Sequence, residues 1–213
     1  MTDKTAYLRS INLVFDAESP ERIAHFQPTA KSVTLMRSLA GLTADRAFFV
    51  TAPYGSGKSL TATYLLHLVQ NRPGAKAVLK DIQKRLSPIS PEIAKFSARR
   101  LRKGGPQGIV LAIEGYQKDV GKALQEAAID ALSRLTLGRQ GRSIRNLNAN
   151  GVAGAIDVLT ILCQKAKQEK CDRVVILWDE FGRHLESLVA SGEAARIGDI
   201  QQIAEFASRA SAV

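Results

Sequence analysis

The run APYGSGKS, residues 52–59, sets two glycines, a lysine and a serine between an apolar segment and a helical one. Gly55 and Gly57 carry no Cβ and take up positive φ at little cost, so successive backbone N–H groups there can converge on phosphate oxygens. A helix beginning near Lys58 adds the partial positive charge of its N-terminus. In that geometry Lys58 reaches the β- and γ-phosphates of a nucleotide, and the Ser59 hydroxyl is set to ligate Mg²⁺. The plainer alternative is a glycine turn between a strand and a helix, with Lys58 merely exposed. A nucleophile elbow does not fit, because G-x-S-x-G would need glycine where Tyr54 stands.

The spacing matches the Walker A pattern with alanine in first position, four residues and then Gly57-Lys58-Ser59. The expected binding loop is Ala52, Pro53, Tyr54, Gly55, Ser56, Gly57, Lys58, Ser59 and Leu60. A triphosphate tail also needs a metal to offset its charge. RVVILWDE supplies an apolar strand that delivers Asp179 at its carboxyl end, the Walker B arrangement, with the aspartate holding Mg²⁺ through its water shell. Glu180, next in the chain, is then the expected general base that polarises an attacking water. The alternative is an Asp-Glu pair that only caps the loop after the strand. Small-molecule P-loop kinases need no such glutamate. The guanine-reading N-K-x-D or T-K-x-D motif is missing, since Lys170-Cys171-Asp172 follows Glu169 and precedes a strand. ATP hydrolysis is the expectation that remains.

Three apolar segments must position these groups. AFFVTA, residues 47–52, reads as a central strand covered on both faces, GIVLAIEGY at 108–116 as a second, and RVVILW at 173–178 as a third. Helical spacing alternates with them. It runs after Pro28 to near Gly41, from Ser59 to the Arg72-Pro73-Gly74 break, from Val120 to Leu135, over 151–170 and over 193–209. Residues 1–27 read as an irregular or partly helical lead-in, and 75–106 as a polar helical insert punctuated by Pro88 and Pro91. Strand and helix in alternation predict an α/β fold with a parallel sheet, whose ligands bind at the carboxyl ends of the strands.

A net charge of +10 over 213 residues favours polyanionic partners. Nine of the basic residues lie in KFSARRLRKGG and RLTLGRQGRSIR, a candidate surface for a nucleic-acid backbone or for a neighbouring subunit. Those stretches have no interleaved aromatics, which argues against stacking on single-stranded bases. The polar start and the short apolar runs predict no signal peptide and no membrane span, hence a soluble cytoplasmic protein. Cys163 and Cys171 have no zinc-like spacing and are expected to be reduced thiols, and His25, His67 and His184 are scattered.

On APYGSGKS and VVILWDE the chain resembles the additional-strand, catalytic-glutamate branch of P-loop NTPases, and within it the AAA+-like ATPases. WDEFGRHLE and the helical lead-in also look like ATPase modules of bacterial phage-defence proteins. The resemblance implies a three-layer α/β/α P-loop NTPase with a mainly parallel sheet. It divides the chain into a helical lead-in at 1–45 and a core at 46–213. ATP and Mg²⁺ are its cofactors, Glu180 and Lys58 its catalytic residues, Ser59 and Asp179 its metal ligands, and a homo-oligomer or larger multidomain assembly its setting. A nucleotide-gated switch with little turnover is the alternative activity. The family inserts a strand between the P-loop strand and the Walker B strand, and carries a lid and an arginine finger. None of these is legible before the sequence ends at SAV, so the expectation is a core truncated at its C-terminus, either a fragment of a longer protein or a reduced version of the family. Glu114, at the end of the second strand, is a further candidate that would repel Glu180 unless one of the two is protonated or a cation intervenes. Arg183 and His184 are candidates for contact with phosphate or a subunit, against a solvated loop.

Overall fold

The computed structural model describes residues 11–40, 42–53 and 55–210. The start of the expected lead-in, the helix stop at Gly41, Tyr54 of the binding loop and the closing SAV lie outside the described residues.

The lead-in is helical in short pieces. Two 3-10 turns, Phe15–Glu18 and Pro20–Ile23, precede α1, Ala30–Leu39. Thr29 starts α1 by accepting from the Ser32 amide while the Ser32 hydroxyl satisfies the Thr29 amide, a reciprocal capping box. α2, Lys58–Gln70, ends where Asn71 turns left-handed at φ 47°. The polar insert is a pair of amphipathic helices, α3 at Lys76–Leu86 and α4 at Pro91–Leu101, the second capped by Ser90 with proline in the first turn.

β1, Ile109–Glu114, leads into α5, Val120–Arg134, whose N-cap Asp119 accepts from the Gly121 and Lys122 amides. The short α6, Gly141–Arg145, and α7, Gly151–Gln168, then return the chain to β2, Val174–Asp179. α8, Phe181–Ala190, and α9, Ile197–Arg209, complete the order. β1 and β2 pair in parallel, in register from Ile109 opposite Val174 to Glu114 opposite Asp179.

Alternation along the strands divides the core. Ile109, Leu111 and Ile113, with Val174, Ile176 and Trp178, pack against α5 and α7. Val110 and Ala112, with Val175 and Leu177, pack on the opposite face against Leu66 and Val69 of α2 and against Leu13 and Ala17 of the lead-in. A separate cluster joins α1, α2, α3 and α4. Arg100, with 1% of its surface exposed, ties α4 to the rest. Its guanidinium donates to the Leu68 and Val69 carbonyls and pairs with Asp172 at 2.6 Å.

The α/β class and the parallel pairing agree with the sequence, but the sheet has two strands among the described residues. The AFFVTA segment expected as a central strand forms none. Phe49 there is 62% exposed. The physical reason is a missing neighbour. The far edge of β2 faces a cleft of about 1490 Å³ whose other wall is residues 43–52. An extended run with no backbone partner has no ladder to join.

Candidate nucleotide site

The glycine loop and the end of β2 open into this same cleft. Gly55 and Gly57 both take left-handed backbone, φ 76° and 82°. A Cβ at either would meet nothing within 4 Å, so the requirement for glycine is conformational and not one of space. Gly57 is the N-cap of α2 and provides no side-chain cap, which leaves the first-turn amides of α2 to water or a ligand. The Lys58 ammonium lies inside the loop, donating to the Ala52 carbonyl at 2.7 Å and the Pro53 carbonyl at 3.1 Å. Ser56, Ser59 and Leu60 line the cleft with them.

Across the cleft stands the carboxyl end of β2. Asp179 lines it and holds the Glu180 amide through Oδ1 at 2.9 Å. Strand alternation aims Asp179 toward the face that carries α2. Glu180 lies in left-handed backbone at φ 51°, and its carboxylate pairs with Arg183 at 2.9 Å. The expected Walker A and Walker B groups therefore border one cleft.

Two weaker candidates are relocated. His184 is not on a solvated loop: it belongs to α8, is 1% exposed and stacks beside Trp178, Tyr116 and Phe181. Its Nδ1 accepts from the Gln117 amide, and burial pushes its pKa down, with Arg196 adding to the shift. Arg183 also sits on α8, engaged with Glu180.

Glu114 faces the cleft beside Asp179, and its partner is not evident in the sequence. Asn12 Nδ2 donates to both Glu114 carboxylate oxygens, at 2.7 and 2.5 Å. The only signal is local. An asparagine two positions before Val14 and four before Asp16 can close a turn on itself, and here Asn12 accepts from the Phe15 amide and donates its own amide to Asp16.

The donor set suits a polyphosphate, with two left-handed glycines, an uncapped helix start and an ammonium within the loop. It also suits a magnesium ion held chiefly by phosphate and water, for which one hydroxyl and one or two carboxylates suffice. Among the described residues no group of three or more His, Cys, Asp or Glu is placed to hold a metal ion on its own. Nor is any helix among them long and apolar enough to cross a membrane. Comparison with protein-family models, with curated proteins and with solved structures gives no match for this chain.

Proposed function

We propose that the chain is a magnesium-dependent ATP-binding and ATP-hydrolysing module of the AAA+-like kind. The observation that carries this reading is the Lys58 ammonium, held by two carbonyls of a loop with two left-handed glycines, at the start of an uncapped helix and bordering the same cleft as Asp179. The loop amides and the start of α2 hold the phosphate tail. Lys58 exchanges its carbonyl partners for phosphate oxygens, and Ser59 and Asp179 hold the metal. A magnesium ion bound there would supply charge neutralisation to the phosphate tail. Glu180 accepts the proton as water oxygen attacks the γ-phosphorus and the bond to the ADP oxygen breaks.

The same reading extends to the fold. A three-layer P-loop sheet would take residues 46–52 as a strand, with one more strand in the cleft between them and β2, and the size of that cleft supports it. Hydrolysis would drive rearrangement of a larger assembly in the cytoplasm, phage defence being the setting that the resemblance suggests.

The Glu180–Arg183 ion pair favours a second reading, a nucleotide-gated switch with little turnover, because the base is engaged elsewhere. One experiment separates these. Binding of a fluorescent ATP analogue and release of phosphate are measured on the native chain, Lys58→Ala and Glu180→Gln. The ATPase reading expects Lys58→Ala to lose binding, and Glu180→Gln to bind but turn over about 10²- to 10⁴-fold more slowly. Equal and negligible turnover in the native chain and Glu180→Gln selects the switch, and tight binding by Lys58→Ala removes the phosphate cradle.

A further inference from the structure

The lead-in reaches into the cleft. Leu13 and Ala17 are fully buried against α2 and the sheet, and Asp16, also fully buried, holds the Asn12 amide through its carboxylate and the His67 ring through its carbonyl. Asn12 is thereby fixed with its side-chain amide on the Glu114 carboxylate. The Glu114 backbone is fixed as well, because Gln117 Nε2 donates to its carbonyl at 2.7 Å and the following Gly115 amide donates to the Asp179 carbonyl. In-register parallel neighbours point the same way, so Glu114 and Asp179 stand side by side toward the face that carries α2.

Asn12 is a neutral donor. Among the described residues the Glu114 carboxylate takes part in no ion pair, and its charge faces the same cleft as Asp179 and the Lys58 ammonium. Next to Asp179, that charge opposes a bare polyphosphate and favours one that arrives with a divalent cation, because the repulsive neighbour becomes an attractive one once the metal is present.

We propose that Glu114, held in place by Asn12, makes this site selective for the magnesium complex of a nucleoside triphosphate over the free anion. The proposal rests on the nucleotide reading above. Glu114 is the specificity-determining group and Asn12 its positioning residue. The lead-in is accordingly part of the site and not an appendage to it.

Glu114→Gln isolates the charge, since the glutamine carbonyl still accepts from Asn12 Nδ2. Asn12→Ala keeps the charge and removes the holder. Affinity for a fluorescent ATP analogue is measured with excess Mg²⁺ and with EDTA, and the quantity read is the ratio of the two. Glu114→Gln is expected to lower that ratio about tenfold or more, with EDTA-state binding tightened. Asn12→Ala is expected to lower it by a smaller factor. A merely structural role for Asn12 would weaken both affinities alike and leave the ratio unchanged, which overturns the positioning role. An unaltered ratio in Glu114→Gln overturns the proposal while the nucleotide reading stands. A native chain that binds no analogue in either condition overturns both.

Discussion

His67 shows how a single buried side chain sets the response to pH. It is 1% exposed, its Nε2 meets the Asp16 carbonyl, and its Nδ1 has no partner among the described residues. Burial pushes its pKa down to about 4, because a charged imidazolium there would lose its hydration. The unfolded chain therefore binds a proton more readily than the folded one. The resulting stability, about 3 kcal/mol, is fully present above the ordinary histidine value near 6.5 and is lost as pH falls toward about 4. Urea unfolding at pH 7 and pH 5 should show that loss, and His67→Gln, which keeps a donor for Asp16, should show less of it. A pH response unchanged by His67→Gln would assign the loss to other groups, such as His184. None of this is legible in the sequence, where His67 is one scattered histidine. Lys58, Asp179 and Glu180 are legible because their chemistry depends on local spacing, whereas the hydrogen bonds from Asn12 to Glu114 span 102 positions and depend on packing.

Among elements, two kinds of glycine separate function from architecture. Gly121, at the start of α5, lies so close to the segment before α7 that an added Cβ would run into the Ala149 carbonyl oxygen and come within 2.5 Å of the Gly151 one. Gly57 has open space around it and is constrained only by φ 82°. Gly121→Ala should therefore lower the thermal midpoint markedly, with a cost on the order of 2–4 kcal/mol as the two helices are forced apart. Gly57→Ala should cost about 1–2 kcal/mol in stability yet reduce binding of an ATP analogue disproportionately. Comparable losses of stability in the two variants would contradict the distinction. Legibility follows the same divide between local and distant causes. β1, β2, α2, α5 and α7 appear within a residue or two of their patterns, because burial on a core face imposes the period that the sequence displays. α8 is hidden in the sequence because its start carries no capping signal: its N-cap Glu180 enters from left-handed backbone without a side-chain cap. The 47–52 run misleads for the opposite reason. Its β-rich composition is plain, but a strand is a property of a pair, and the edge of β2 stands across an unfilled cleft.

For the whole molecule, the direction of the strands sorts charge to two ends. The candidate nucleotide groups gather at the carboxyl ends of β1 and β2. The basic stretch that ends α4 leads into the amino end of β1, so the six-residue strand separates the two regions by about 20 Å. Packing also thins the charge available to a partner. Arg100 is consumed by Asp172 and by backbone carbonyls, and Arg134 donates to the Val110 carbonyl and is held below the ordinary arginine range by burial. Lys95, Arg99, Arg102 and Lys103 remain exposed, as do Arg139, Arg142 and Arg145. A polyanion gripping the first group would release counterions, so its affinity would fall steeply with salt. Duplex DNA binding measured across a salt series should weaken in a variant carrying Arg99→Ser, Arg102→Ser and Lys103→Ser, with the log–log slope reduced by about one for each phosphate no longer neutralised. Lys58→Ala, altered at the opposite end, should leave that slope unchanged. Binding that is absent even at low salt, or a triple variant with the native slope, would mean that these residues serve as solvated surface and that the net charge of +10 has no nucleic-acid role at this face.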